Sequence, residues 1–71
     1  MADSVYKVIE LVGTSSDSWE NAAATAIDQA SSTLRDLRVA EVEQLDVSID
    51  DGGAKTYRVK LSVSFKYEGG G

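Results

Sequence analysis

The sequence predicts an α+β domain in the order β-α-β-β, with a three-stranded antiparallel sheet wrapped around one helix. Three patterns carry this prediction: a strict apolar–polar alternation near the C-terminal end, a stripe of small apolar residues at helical spacing, and a short apolar run near the N-terminal end. The chain contains no internal repeat and no linker. We therefore expect a single domain over residues 1–71, with flexible ends at 1–3 and 68–71.

The third strand is the clearest of these elements. From Tyr57 to Tyr67 the odd positions are apolar and the even positions are polar, which is the period of a half-buried strand. A strand of this length spans roughly 36 Å. Because a chain of 71 residues has little of its own to cover such a strand, we expect burial between the subunits of an assembly.

The first strand is predicted over Ser4 to Val12, and both of its faces are largely apolar, so both are expected to be covered. Gly13 and the polar residues after it are expected to end this strand. Ser16 or Asp17 is expected to cap the helix that follows, since Asp17 and Glu20 have the spacing of a capping box.

The helix is predicted from apolar residues at steps of three and four, most of them alanine. Such small side chains allow the helix axis to approach the concave face of a curved sheet. Trp19 begins the stripe, and we interpret it as an anchor of the core or of an interface rather than as a ligand-stacking residue. The stripe consists of Trp19, Ala22, Ala23, Ala26, Ile27, Ala30 and Leu34.

The second strand is predicted over Leu37 to Ile49, and its alternation changes phase between Val42 and Leu45. A pattern of period two changes phase only when a residue is inserted, so we expect a β-bulge near Glu43–Gln44.

Residues 50–55 then form the turn of a hairpin, in which Asp50 and Asp51 are expected to serve as turn residues rather than metal ligands. The pairs that match apolar with apolar are Val47–Val59 and Leu45–Leu61, and they place Asp46 near Lys60.

The composition restricts the chemistry that the chain can perform. It contains neither Cys nor His, so no Ser-His-Asp or Cys-His nucleophile and no thiolate or imidazole metal site can be built from it. Twelve acidic against seven basic residues argue against a nucleic-acid partner. No apolar run approaches the roughly 20 residues that span a bilayer, and no signal-peptide pattern is recognised, so a cytoplasmic protein without a membrane partner is expected.

Several segments, taken in order, resemble the dodecin family. They are Tyr6–Glu10, Gly13–Ser15, the alanine-rich helix, Ala40–Val42, Tyr57–Leu61 and Val63–Phe65, and the resemblance covers about residues 5–67. It implies a hollow homododecamer of cubic symmetry in which the long strands are shared across interfaces. It also implies a protein that is not an enzyme. Typical members store flavins by stacking them in pairs against a tryptophan.

Two positions depart from the flavin-binding pattern. Val39 stands where the resemblance implies the stacking tryptophan, and Arg58 stands where it implies a glutamine. Gln44 belongs to the same pocket region. An aromatic stacking platform contributes about 0.5–1.5 kcal/mol per ring beyond area burial. We therefore expect weak binding of FMN, FAD or riboflavin, or none.

The segments Arg38–Ala40, Tyr57–Lys60 and Ser18–Glu20 are similar to a flavin-poor branch, the calcium dodecins. Calcium takes about six to eight oxygen ligands, and an interface could gather them from several subunits. Glu41 and Glu43 are the candidate metal ligands, although the chain has no EF-hand spacing.

These observations predict a non-enzymatic homododecamer that stores or buffers a small ligand or a metal ion, with calcium as the leading candidate. Four alternatives stay open. Two are binding sites, namely a flavin or another planar or phosphorylated cofactor in an altered pocket, and an anion site on the polar face formed by Arg58, Lys60 and Lys66. The others are a structural shell without a ligand and an enzyme that uses tyrosine or carboxylate acid–base chemistry, for which the sequence offers no constellation.

Overall fold

The computed structural model describes residues 3–67, and its element order is the predicted β-α-β-β. The elements are β1 (Tyr6–Ser15), α1 (Trp19–Thr33), β2 (Leu37–Ile49) and β3 (Lys55–Lys66). The strands form one sheet in the order β1-β3-β2, and both pairings are antiparallel. Of the ends expected to be flexible, residues 1–2 and 68–71 lie outside the described residues.

The core lies where the middle of β3 meets the helix. Val59, Leu61 and Val63 are each only 1% exposed, and they pack against Ala22 and Ala26. The alternation that predicted β3 is therefore confirmed, because the odd positions face the helix. Partly buried side chains from the remaining elements complete this cluster: Ile9, Leu11, Trp19, Ala23, Ile27 and Leu37.

The prediction that Gly13 ends the first strand is wrong. β1 continues to Ser15, and Gly13 pairs with Val59 of the central strand β3. A Cβ at Gly13 would overlap the carbonyl oxygen of Ala22 and would lie 3.0 Å from the Cβ of Ala26. The glycine is therefore present because the helix backbone rests directly on it.

The helix is capped one or two residues later than predicted. Ser18 has extended backbone angles, and its Oγ accepts a hydrogen bond from the backbone N–H of Asn21 at 3.0 Å. Ser15 supports the approach to the helix, because its Oγ accepts from the backbone N–H of Asp17 at 2.9 Å. Neither Ser16 nor Asp17 is the cap. Several adjacent residues in this segment are good caps by type, and only the path of the chain selects one of them. The alanine face is confirmed, with Ala22, Ala26 and Ala30 buried.

The bounds of β2 and its bulge are confirmed. Val42 pairs with Leu61 and Gln44 with Lys60, so Glu43 is the inserted residue. A second shift of register occurs between Leu37 and Val39.

The predicted hairpin pairing is wrong by two residues. Leu45 lies opposite Val59, Val47 opposite Tyr57, and Asp46 opposite Arg58 rather than near Lys60. A shift of two residues leaves every side chain on its own face, so the apolar pattern could not distinguish the two registers.

The chain is elongated, with principal extents of 55 × 20 × 18 Å and a radius of gyration of 14.8 Å. A compact domain of this length has a radius of gyration of about 11 Å. The helix lies over β1 and β3 and hardly reaches β2. Many large apolar side chains consequently remain exposed within one chain: Val5, Tyr6, Val8, Val12, Val39, Val42, Leu45, Ile49 and Tyr67. Of the two faces of β1 that were expected to be covered, this chain covers only the one carrying Ile9 and Leu11.

No helix within residues 3–67 is long and apolar enough to cross a membrane.

Candidate functional site

All five candidate site residues, Val39, Glu41, Glu43, Gln44 and Arg58, lie on β2 and β3. Directly opposed residues of paired strands share a face. Because Val59, Leu61 and Val63 face the helix, the even positions of β3 and their partners on β1 and β2 form the opposite face, which we call the outer face.

An acidic row crosses the middle of the outer face. Ser62 lies between Glu10 of β1 and Glu41 of β2. The carboxylate of Glu43, on the bulge, accepts a hydrogen bond from the Ser62 hydroxyl. The two predicted metal ligands are therefore neighbours, and the bulge directs the second of them back toward β3. Three carboxylates, one from β1 and two from β2, thus lie around one serine.

A charged corner lies next to this row, toward the hairpin turn. The Arg58 guanidinium donates to both carboxylate oxygens of Asp46, from Nε at 2.7 Å and from Nη2 at 2.8 Å. Gln44 lies opposite Lys60 in the next pair. Together with Val12, these side chains line a cavity of about 70 Å³. The structure therefore brings the predicted residues Gln44 and Arg58 together.

The electrostatics of this corner follow from the Arg58–Asp46 pair. Hydrogen bonding from the Arg58 guanidinium, aided by its charge, lowers the pKa of the Asp46 carboxyl. The same contact raises the pKa of Arg58. Lys60 in turn lies 3.7 Å from a carboxylate oxygen of Glu10. Two of the three cations proposed for an anion site are thus already paired with acids of the same sheet.

Val39 lies at the far end of the outer face, in an apolar row. It is opposite Ser64, whose other neighbour is Val8 of β1. Its side chain is 60% exposed. Six residues of β3 separate Ser64 from Arg58, which corresponds to about 20 Å along the strand. One chain therefore does not bring Val39 and Arg58 into a common pocket.

The geometry restricts what a single chain can hold. Pockets for cofactor-sized ligands usually measure about 300–1,000 Å³, which is well above the cavity beside Arg58. Among residues 3–67, no group of three or more His, Cys, Asp or Glu side chains is close enough together to hold a metal ion. Within residues 3–67 of one chain, the outer face therefore shows neither a metal-binding group of this kind nor, beside Arg58, a cavity of cofactor size.

Trp19 has the anchoring role that was expected of it. Its indole N–H donates to the backbone carbonyl of Asp46 at 3.0 Å, and its ring meets Tyr57 edge-on at 5.2 Å. The start of the helix is thereby attached to β2 and β3. The turn acids also match their expected role, because Asp50 Oδ1 accepts from the backbone N–H of Gly52 at 3.0 Å and of Ala54 at 2.8 Å.

Sequence reasoning missed Glu10 and Ser62 as parts of the acidic row, and Asp46 as the partner of Arg58. The parity of Glu10, which alternates with Ile9 and Leu11, already places it on the outer face. That Glu10 lies beside Ser62 depends on the sheet order, because β1 pairs with β3 rather than with β2. The Asp46–Arg58 pair depends on the hairpin register.

Comparison with known proteins agrees with this architecture. A family model described as Dodecin matches residues 5–68. The chain is 54% identical over 63 residues to calcium dodecin from Mycobacterium tuberculosis, covering 89% of each protein. It is 44% identical over 64 residues to a dodecin from Thermus thermophilus, covering 90% of this chain and 93% of that protein.

The fold is shared with solved structures. A crystal structure of calcium dodecin from Mycobacterium tuberculosis superposes with a TM-score of 0.87 at 50% identity, covering 96% of this chain and 97% of that one. That protein is described as a calcium-chelating immunodominant antigen with a novel calcium-binding site. The matched length, the identity and the common β-α-β-β fold together show that this chain belongs to the dodecin family.

Proposed function

We propose that this protein is a non-enzymatic homododecamer that binds calcium on the outer face and stores or buffers it, with weak flavin binding or none. The acidic row around Ser62 is the observation that carries the proposal. Glu10, Glu41 and Glu43 supply carboxylate oxygens, which are the ligands that calcium prefers.

Assembly is part of the proposal because one chain cannot complete the site. Three carboxylates supply at most six oxygens, and only if all three bind through both oxygens, which is the lower limit of the about six to eight that calcium takes. Two copies whose outer faces meet would double the supply and would cover the exposed side chains of Val8, Val12 and Val39. The similarity to a calcium-chelating dodecin supports calcium over other divalent ions.

The proposal includes no nucleic-acid or membrane partner. The net charge of −5 disfavours phosphate-rich partners, and the carboxylates that would bind calcium would repel them. The cytoplasm is the proposed location, and cell fractionation with an antibody to the protein tests it.

Native mass spectrometry tests the assembly and the ligand together. We expect metal-free protein to give a mass of twelve subunits that gains calcium on titration but does not gain riboflavin or FMN. A monomer or dimer would contradict the assembly, and uptake of flavin without calcium would contradict the ligand.

Charge-neutralising variants test the acidic row. Glu41→Gln and Glu43→Gln should each weaken calcium binding by about ten- to a hundredfold, as expected when a ligand or its close support is lost. Asp28→Asn, on the exposed side of the helix, is the matched control and should bind calcium like the parent. Equal affinities for all four proteins, measured by isothermal titration calorimetry, would place the calcium elsewhere.

Thermal unfolding gives a second readout. A ligand that binds only the native state raises stability by mass action, so calcium at about a hundred times its Kd should add about 2.7 kcal/mol. A melting temperature that does not change when calcium is added would instead favour a structural shell without a ligand.

A further inference from the structure

The turn between β2 and β3 contains the dipeptide Asp51–Gly52, and both residues are exposed. Gly52 has no side chain to shield its amide nitrogen. The nearest atom to a Cβ placed on Gly52 would be Asp50 Oδ1 at 3.6 Å, so the space around it is open. Among aspartates, an exposed one followed by glycine is the most open to spontaneous rearrangement of the peptide backbone.

The rearrangement needs no partner other than water. The amide nitrogen of Gly52 forms a bond to Cγ of Asp51, while the bond from Cγ to its hydroxyl oxygen breaks. That hydroxyl leaves as water with the proton from the nitrogen, and a five-membered cyclic imide remains. Water then opens the imide at the former main-chain carbonyl of Asp51. The product is isoaspartate, in which the chain runs through Cγ, and its mass equals that of the starting protein.

The structure holds the attacking nitrogen in a hydrogen bond. The Gly52 N–H donates to Asp50 Oδ1 at 3.0 Å, and the Ala54 N–H donates to the same oxygen at 2.8 Å. The backbone of Asp50 also closes the turn, since its carbonyl accepts from the Gly53 N–H at 2.9 Å and its N–H donates to the Ala54 carbonyl at 3.0 Å.

These contacts oppose the first step of the rearrangement. The hydrogen bond from the Gly52 N–H to Asp50 Oδ1 must break before the nitrogen can turn toward Cγ of Asp51. The same contacts hold the turn in one conformation, whereas ring closure requires the nitrogen and Cγ of Asp51 to approach within bonding distance.

We propose that Asp50 protects the turn by holding the Gly52 N–H, and thereby slows the conversion of Asp51 to isoaspartate. Isoaspartate would add one carbon atom to the backbone between β2 and β3. Those two strands carry Glu41, Glu43 and Arg58 in a register that begins at the Ile49–Lys55 pair, next to the turn. Protection of this dipeptide therefore preserves the register on which the outer face depends.

Ageing of the whole protein tests this proposal. Wild-type, Asp50→Ala and Asp50→Asn proteins are incubated at about 37 °C and about pH 6 for several weeks. Isoaspartate at position 51 is then located by peptide mapping with electron-transfer fragmentation. We expect Asp50→Ala to accumulate it about tenfold faster than wild type, which corresponds to the loss of one hydrogen bond to a charged group. Asp50→Asn keeps an oxygen acceptor, so it should remain closer to wild type.

Synthetic peptides covering residues 46–58, with and without Asp50→Ala, provide the unfolded reference. The two peptides should rearrange at rates within a factor of two, because the hydrogen bonds form only in the folded turn. Equal rates for the folded wild type and Asp50→Ala would overturn the proposal. The proposal would also be overturned if Asp50→Ala accelerated isoaspartate formation by the same factor in the peptides as in the folded proteins.

Amide hydrogen exchange of Gly52 in the wild-type protein gives a test that needs no variant to fold. Exchange slower than in the peptide supports the proposal, and exchange at the peptide rate would overturn it.

Discussion

Arg58 and Asp46 form the best-defined polar contact on the outer face, with two short hydrogen bonds between a planar guanidinium and a carboxylate. Such bidentate pairs fix the orientation of both side chains. The arginine is therefore committed to its neighbour on β2, and it narrows the cavity that it lines with Gln44, Lys60 and Val12. A ligand that needed this guanidinium would have to displace Asp46 first.

The Asp46–Arg58 pair makes stability depend on pH in a definite direction. The pKa of Asp46 in the folded chain lies below its ordinary value of 3.8. The contribution of ionised Asp46 to the free energy of unfolding is thus fully present above pH 3.8, the ordinary pKa. It is lost as the pH falls through the lower pKa of the folded chain. We expect wild type to be more stable than Asp46→Asn near neutrality, and the difference to shrink below about pH 4.

Urea unfolding of both proteins across this pH range measures that difference. Because the pair is exposed, about 0.3 M added salt should reduce the difference at neutral pH through screening. A constant difference at every pH would show that Asp46 acts through its size or its backbone rather than through its charge.

Val39 offers a gain-of-function test at the residue scale. Val39→Trp restores an aromatic ring at the position where the dodecin resemblance implies flavin stacking. An added stacking partner contributes about 0.5–1.5 kcal/mol, so flavin affinity should rise about two- to tenfold per stacked ring. Quenching of flavin fluorescence measures this change. If the variant binds flavin no better than wild type, Arg58 or the shape of the pocket, rather than the missing ring, limits flavin binding.

At the scale of elements, the contact between α1 and the sheet depends on small residues. Gly13 on β1 and the buried alanines on α1 let the helix backbone rest on the strand. Trp19 attaches the other side of the helix start to β2 and β3 through one hydrogen bond and one aromatic contact. The helix accordingly contacts β1 most and leaves β2 largely uncovered.

Gly13→Ala tests the close approach of helix and strand. The added methyl would meet backbone atoms of Ala22, which cannot move aside as a flexible side chain can. We expect a loss of about 3 kcal/mol, at the upper end of the range for overpacked cores. Gly52→Ala is the matched control. Its new Cβ meets only Asp50 Oδ1 at 3.6 Å, and its stability should change by less than about 0.5 kcal/mol.

Denaturant midpoints at one fixed protein concentration measure both glycine variants, since the stability of an oligomer depends on concentration. A Gly13→Ala protein as stable as Gly52→Ala would show that the helix can move away from β1 without cost.

At the scale of the whole molecule, the single chain is too extended to bury its own apolar surface. Its radius of gyration of 14.8 Å exceeds what a compact chain of this length needs. Val8, Val12 and Val39 lie on the outer face with half or more of their side-chain surface exposed. Val8 and Val39 flank Ser64 and form one apolar patch, which is the kind of surface that marks a site of association.

A charge introduced into this surface should block assembly. We expect Val8→Glu to yield smaller species than wild type, because an unpaired carboxylate would be buried between copies. Ser32→Glu, on the exposed side of the helix, should assemble normally. Native mass spectrometry or light scattering separates these outcomes. An intact assembly of Val8→Glu would mean that the outer face near Val8 stays open to solvent.

Much of the fold could be predicted because it depends on local patterns. The alternation of β3, the alanine stripe of α1 and the change of phase that marks the Glu43 bulge all reflect which side chains must be buried. Errors arose where a local signal has two meanings. Gly13 was interpreted as a break although it serves close packing, and the helix cap was one of several suitable residues.

Less of the candidate site than of the fold could be predicted from the sequence. Glu41 and Glu43 were predicted as metal ligands because they are carboxylates, whereas Val39, Gln44 and Arg58 were named from the resemblance to the dodecins, and both assignments stay predictions. Their partners Glu10 and Asp46 were not recognised, since each lies far from its neighbour in sequence. Which strand occupies the centre of the sheet, and by how many residues the hairpin is shifted, decides these contacts.

The sequence by itself determined the order of elements, the faces that are buried, the bulge and the absence of thiol and imidazole chemistry. Each of these follows from the identity and period of residues within one segment. Only the tertiary structure decided that β3 is central, that Asp46 meets Arg58, and that three glutamates flank Ser62. The physical reason is that a shift of two residues, or an exchange of neighbouring strands, leaves every side chain on its own face. Burial cannot distinguish such arrangements, because each of them buries the same side chains.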